Sequence, residues 1–346
     1  MARIVLTADA TQMSEYWGIP LLDFFSCAPV EKVPRLIFDF LSPPVKHVDG
    51  VATMAPYGLR KLEAALFRSY KPEDVVVAHP AHVSKFIDDK TSIVGISTMD
   101  PLGLGPVSMM FTDGGRMTAY TKRKFVELVH EIDRAKRRFP KAKLVVGGSG
   151  AWQMEVRDDE TRALGVDHVV VGECDHVIGQ LCNDIEFNGS PEFIHVPRGP
   201  KLEDIPDIVA PTVHGLVEVM RGCGRNCQFC EPNLRVAKYY PTEKIIREIK
   251  VNTKVGNPNV WVHSEDIFLY KLEDKKGFMP NHEAVLDLFK TVMSVPGITY
   301  SNPTHGTTSP AVADPDLIRE ISETARLGSD RYIGIQSGLE TGSCEL

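Results

Sequence analysis

Three cysteines stand close together in the stretch RGCGRNCQFC, spaced Cys223-x-x-x-Cys227-x-x-Cys230. Three thiolates on one short loop can ligate three irons of a cubane iron–sulfur cluster. The fourth iron then has no local cysteine and stays open to a ligand from outside the chain. Gly222 and Gly224 let the backbone wrap such a cluster closely. A structural zinc site needs a fourth ligand, usually from a second Cys or His pair at finger-like spacing. None follows here, and the next histidine, His263, falls in a predicted strand. The remaining cysteines of the seven, Cys27, Cys174, Cys182 and Cys344, are scattered. An odd count with one cluster reads as a metal site in a reducing compartment, not as a disulfide framework.

The elements that must hold this loop follow a βα rhythm. Over residues 1–190, Ile4–Ala8, Val75–Pro80, Ser92–Thr98, Leu144–Ser149 and His168–Glu173 are short β-branched runs with little polar alternation. Such runs suit parallel strands buried on both faces. Helical periodicity lies between them. Leu59, Leu62 and Leu66 share a face in Leu59–Phe67. Phe125, Leu128, Val129 and Ile132 do so in Lys122–Arg138, with Thr121 as the expected N-cap and Pro140 beyond the end. The expectation is an α/β fold opening with a doubly wound parallel sheet.

Residues 191–213 are Pro-rich, with few periodic positions, and read as a linker. From residue 214 the rhythm resumes, with strands expected at Val217–Arg221, Val260–Asp266, Ile298–Asn302 and Tyr332–Gly338. Asp314-Pro315 should start a helix whose apolar face is Leu317, Ile318, Ile321 and Ala325, ending at Gly328. Four βα units over residues 214–346 make a partial (β/α) barrel. The sequence ends directly after a strand, and the expectation is that a longer protein continues the barrel.

Composition excludes several classes. The net charge is −7, and Lys and Arg are dispersed. The short runs Lys122–Lys124 and Arg134–Arg138 read as the solvated face of a helix, so no nucleic-acid partner is expected. No apolar run reaches the ~20 residues of a membrane span. The N-terminal MARIVLTADATQ reads as a strand, not a signal peptide, and a cytoplasmic protein is expected.

The cysteine spacing, with Phe229 before the third cysteine and a strand before the first, resembles the signature of the radical S-adenosylmethionine superfamily. The resemblance implies a [4Fe–4S] cluster whose open iron is chelated by S-adenosylmethionine. It also implies an electron donor. In that family a motif ending in Glu after the second barrel strand binds the methionine amine. The matching stretch is Ser264-Glu265-Asp266, with Glu265 as the expected contact. Its departure from Gly-Gly-Glu leaves Asp266 as the alternative. Ribose contacts are implied at Gln336, Ser337 and Glu340, and Ser301 and Asn302 are expected to line the same cavity.

The first region resembles the cobalamin-binding class of that superfamily. Three strand ends carry the likeness: Ser97 and Thr98, Gly147 and Gly148, and Gly172 and Glu173 in VVGECD. Hydroxyls and glycine backbones at the carboxyl edge of such a sheet can accept the nucleotide tail and corrin amides of cobalamin. None of the eleven histidines has Asp two residues before it, so the usual axial-histidine motif is missing. APYGLRKLEAAL falls where a lower-face residue would sit, but reads better as a core helix. The resemblance implies a methyltransferase acting on an unactivated carbon. A rearrangement or cyclisation without net methyl transfer, and a non-enzymatic carrier or sensor, are the competing readings. ADATQMS, APYGLRKLEAAL, STMDPLGLGPVS and RGCGRNCQFCEP are similar to archaeal methanogen proteins of this class, the glutamine C-methyltransferase of methyl-coenzyme M reductase among them. That likeness implies a protein or peptide substrate.

Overall fold

Apolar runs with no solvated face pair side by side, and in the first unit they do so in parallel. A computed structural model of the chain describes residues 2–228, 236–274, 276–326 and 334–338. It divides into two units, Met1–Val213 and His214–Leu346. The first contains β1 (Ile4–Ala8), β2 (His47–Val48), β3 (Val51–Ala52), β4 (Val75–Val77), β5 (Ile93–Ser97), β6 (Lys143–Gly147), β7 (His168–Val171) and β8 (Phe193–His195). Six of these form one sheet in the order β4-β1-β5-β6-β7-β8, all parallel, while β2 and β3 make a small antiparallel hairpin.

Alternation along the strands feeds two cores. Ile4, Leu6 and Ala8 pack on one face with Leu59, Leu66, Ile178 and Leu181. Val5, Val94, Ile96 and Val146 pack on the other with Phe125, Val129 and Ile132. Strand order reverses at β1, so the crevice beside it, at the carboxyl edge, is where a doubly wound sheet binds ligands.

Several expectations need correction. The stretch read as a linker supplies β8, which pairs with β7 through Val169↔Phe193. Its later part is pinned as well. Buried Lys61 donates to Pro206 O at 2.5 Å, and Arg60 donates to Pro211 O at 3.0 Å. Both cations sit in the helix Tyr57–Leu66, which is a core helix. The long helix runs Tyr120–Lys136 with Ala119 at its N-cap. Thr121 lies inside its first turn and donates to Asp100 O at 3.1 Å. Its basic run is not wholly solvated either: Lys124 is buried with its ammonium 5.7 Å from the Phe38 ring centroid.

The second unit contains β9 (Leu216–Glu218), β10 (Met220–Arg221), β11 (Lys238–Tyr239), β12 (Asn259–His263) and β13 (Tyr300–Pro303). β13-β12-β9 form a parallel sheet, and β10 pairs antiparallel with β11. The single strand expected over Val217–Arg221 is thus broken at Val219, whose N–H donates to His263 O at 2.9 Å. Helices Thr242–Thr253, His282–Ser294 and Pro315–Thr324 complete the βα units. Asp314 caps the last by accepting from Leu317 N at 3.1 Å. Of the fourth expected strand, the described part pairs Gln336 with His305. Tyr332 and Gly328 lie outside the described residues. Among the described residues, no helix is long and apolar enough to cross a membrane.

Candidate functional site

Parallel register sets which side chains share the inner surface at the strand ends. Leu216 pairs with Trp261 and Glu218 with His263, while Trp261 pairs with Asn302. These residues therefore stand on one face, and Val217, Val260, Val262 and Ser301 stand on the other. Ser301 was expected in the cavity. It is instead on the face opposite Glu218 and His263, fully buried. Asn302 is on the inner face, where its amide clasps Gly334 through Nδ2 to Gly334 O at 2.9 Å and Gly334 N to Oδ1 at 2.9 Å.

Glu218 is the charged anchor of this face. Arg221 grips it bidentately, both contacts at 2.9 Å, and Tyr240 donates its hydroxyl to the same carboxylate. Burial pushes the carboxyl up, but Arg221, His263 and Tyr240 together outweigh it and hold it down at about 2. Burial pushes the neighbouring His263 down to about 4, so the ring is neutral at pH 7. His263 Nδ1 meets Thr304 Oγ1 at 3.0 Å, and His305 Nδ1 meets the same hydroxyl at 2.9 Å. None of Glu218, Arg221, Tyr240, Thr304 and His305 was singled out from sequence, and His263 entered only as a rejected zinc ligand. Their signal was their place at strand carboxyl ends, where barrel active sites form.

β10 leads directly into the cysteine loop. Gly222, Gly224 and Asn226 take left-handed φ values of 76°, 79° and 57°. Left-handed residues at alternate positions curl a backbone, as in the concave loops that face iron–sulfur and phosphate groups. Cys223 and Cys227 are half-buried, and among the described residues neither is in a disulfide. Phe229 and Cys230 lie outside the described residues. The curled loop and its thiol donors fit an iron–sulfur cluster.

The two carboxylates after β12 differ in what they have left to give. Asp266 Oδ1 accepts from Phe268 N and Thr307 N, both at 3.2 Å. Its Oδ2 accepts from Thr307 Oγ1 at 2.6 Å and faces Arg225 Nη2 at 3.4 Å. Glu265 keeps Oε2 buried with no hydrogen-bond partner among the described residues. Burial, with Glu218 nearby, raises its carboxyl to about 7, although backbone N–H groups of Glu265 and Gly222 work against this. The carboxyl with capacity for a ligand is therefore Glu265, next to the loop. Gln336 and Ser337 are exposed at the adjacent strand end, and Gln336 is held through N to Thr304 O at 2.8 Å. Glu340 lies outside the described residues.

In the first unit, several residues expected to touch cobalamin serve the backbone. Thr98 donates through both N and Oγ1 to Gly147 O, each at 2.8 Å. A Cβ on Gly148, at φ +96°, would lie 2.4 Å from Thr98 O. A Cβ on Gly172, at φ +113°, would lie 2.4 Å from Val196 O. These glycines let neighbouring loops cross. Gly147 has ordinary space. Ser97 O accepts from Gln12 Nε2 at 3.2 Å. A Cβ on Gly199 would touch the Glu173 carboxylate at 3.0 Å. What the same edge leaves open is Ser149, Met99 and Trp152, the last two 61% and 44% exposed. Exposed apolar side chains beside a hydroxyl, at the carboxyl edge of a parallel sheet, are of the kind that can meet a flat macrocycle with an amide rim, so these residues are compatible with a corrinoid.

No family model matches the chain. Over 217 residues, 61% of this chain, it is 24% identical to the tRNA-2-methylthio-N(6)-dimethylallyladenosine synthase of Photobacterium profundum. Over 199 residues, 56% of this chain, it is 26% identical to the protein of that name from Nitrosospira multiformis. The chain spans 45% and 41% of those relatives' lengths. Among solved structures it is similar to TsrM, a radical S-adenosylmethionine methyltransferase from Kitasatospora setae with cobalamin and a [4Fe-4S] cluster bound. The TM-score is 0.54 at 14% identity, covering 93% of this chain and 59% of that one. That likeness shows a shared fold.

Proposed function

We propose that the chain binds a [4Fe–4S] cluster through Cys223, Cys227 and Cys230, and uses cobalamin and S-adenosylmethionine to methylate an unactivated carbon. The observation that carries this reading is the curled cysteine loop beside Glu265, whose Oε2 is buried with no hydrogen-bond partner among the described residues. When bound, these groups supply reductive cleavage of a sulfonium and a transferable methyl. The chain's own residues bind and orient. The loop presents thiolates, and Glu265 accepts a hydrogen bond from the amine of S-adenosylmethionine. Glu218, Arg221 and Tyr240 form a rigid charged floor beneath. His263, neutral at pH 7, and Thr304 offer hydrogen bonds to a polar substrate group without adding charge. Met99, Ser149 and Trp152 take the corrinoid at the carboxyl edge of the first sheet, and an external donor supplies the electron.

We place the substrate in a protein or peptide, with a glutamine of methyl-coenzyme M reductase as the specific candidate. Support comes from the similarity of APYGLRKLEAAL, STMDPLGLGPVS and RGCGRNCQFCEP to methanogen proteins of this class. A second reading, chemistry on tRNA, is favoured by the names of the aligned relatives.

The test is anaerobic reconstitution with reductant, cobalamin and methyl-labelled S-adenosylmethionine, offered separately a peptide spanning the glutamine and bulk tRNA. One labelled methyl in the peptide is expected, together with 5′-deoxyadenosine. Label in tRNA alone moves the substrate to nucleic acid. Turnover without label in either product leaves a rearrangement, and no 5′-deoxyadenosine at all overturns the enzymatic reading.

A further inference from the structure

Arg225 lies between the first two cysteines, and its side chain reaches out of their loop. Nη2 donates to Thr307 Oγ1 at 2.8 Å and faces Asp266 Oδ2 at 3.4 Å. The guanidinium carbon stands 5.0 Å from the Phe278 ring centroid. Thr307 Oγ1 in turn donates a hydrogen bond to Asp266 Oδ2 at 2.6 Å. Asp266 follows β12 and Thr307 follows β13, so one side chain ties the cysteine loop to the ends of two parallel strands. Asp266 is 1% exposed, and the Arg225 side chain is about a fifth exposed, at 21%. Arg225 Nε is buried and has no acceptor among the described residues. Loop geometry does not require an arginine at this position. Without the arginine, Asp266 would keep its three other donors, Phe268 N, Thr307 N and Thr307 Oγ1.

We infer that Arg225 is a positioning residue for the cluster. It locks the loop onto Asp266 and Thr307, and it sets a cation and a spare buried donor on the ligand loop itself, two residues from Cys223 and from Cys227. The inference rests on the cluster reading above. A reduced cluster carries one more negative charge than an oxidised one. A nearby cation in a partly desolvated position favours the reduced form, since local charge and hydrogen bonding set such potentials. Asp266 opposes this charge while sharing the structural task. The two residues therefore act in the same sense on loop order and in opposite senses on the potential, which separates electrostatics from mere scaffolding.

The experiment reconstitutes wild type, R225Q, R225K, D266N and T307V anaerobically. It measures iron per chain and the midpoint potential by titration followed with electron paramagnetic resonance. R225Q should shift the midpoint to more negative values and D266N to more positive ones. R225K keeps the charge, and T307V alters no charge. Both should hold the wild-type midpoint while retaining less cluster. A midpoint unchanged in R225Q at wild-type iron content overturns the inference. If R225Q takes up no cluster, D266N decides: a midpoint at or below wild type overturns it, and one above supports it. A wild-type protein that binds no cluster under these conditions defeats the cluster reading itself, a result distinct from any variant pattern.

Discussion

Glu265 and Asp266 are adjacent carboxylates with opposite fates. Asp266 meets donors at both oxygens, whereas Glu265 keeps one oxygen buried without a donor among the described residues. Burial holds the Glu265 carboxyl near 7, above its unfolded range near 4.5. The folded chain therefore binds a proton that the unfolded chain has released between these values. Stability falls as pH rises from about 4.5 to about 7, by up to about 3 kcal/mol. E265Q should remove that slope in urea titrations, and an unchanged slope would refute the assignment. Glu218 runs the other way. Its folded carboxyl is depressed to about 2, so its contribution is present above about 4.5 and drains away as pH falls toward 2. Removing Arg221 strands this buried charge. R221M should cost about 3 kcal/mol at pH 7 by chemical denaturation, and the cost should shrink in acid, where Glu218 is protonated. The cysteine triplet was legible because its ligands are neighbours in sequence. The Glu218–Arg221 fork was not. It depends on the break at Val219, which lets residues three apart meet across a strand end, and strand periodicity alone would hold them on opposite faces.

At the scale of elements, the parallel strands were legible because burial on both faces leaves runs with little polar alternation, as in Ile4–Ala8 and Ile93–Ser97. β8 was not, because Phe193–His195 is short and followed by prolines, and only pairing with β7 makes it a strand. Thr121 looked like a helix cap. Instead the helix starts two residues earlier, at Tyr120 with Ala119 as N-cap, and the Thr121 hydroxyl donates to Asp100 O. Asp100 also accepts from Gly105 N at 2.8 Å and from Gln153 Nε2 at 2.7 Å, so the loops after β5 and β6 are one interlocked edge. Glycine use within GGSG follows from that interlock. A Cβ at Gly148 or Gly150 would lie 2.4 Å from Thr98 O or Met99 O, while one at Gly147 finds its nearest atom at 3.8 Å. G148A and G150A should each cost about 3 kcal/mol through backbone displacement, and G147A should stay within about 0.5 kcal/mol. Urea denaturation of the three variants checks this, and equal losses at all three would show that the loops yield without cost.

For the whole molecule, the question is whether the two proposed cofactor sites depend on each other. The described cluster ligands, with Glu265 and Arg225, belong to His214–Leu346, and the carboxyl edge with Met99, Ser149 and Trp152 belongs to Met1–Val213. The first unit has cores on both faces of its own sheet, so its edge is shaped by contacts within residues 1–213. Corrinoid binding should then survive loss of the cluster. In the triple variant C223A/C227A/C230A, iron should fall to background, while hydroxocobalamin binds with the wild-type dissociation constant. A ligand held at about one hundred times its dissociation constant stabilises the folded state by about 2.7 kcal/mol, and that gain should be equal in the two proteins. Equal cobalt per chain and equal cobalamin-induced shifts in denaturation midpoint are the readout. If cobalamin binding disappears with the cysteines, the corrinoid site is not built by the first unit alone, and the residues assigned to its edge are the wrong ones.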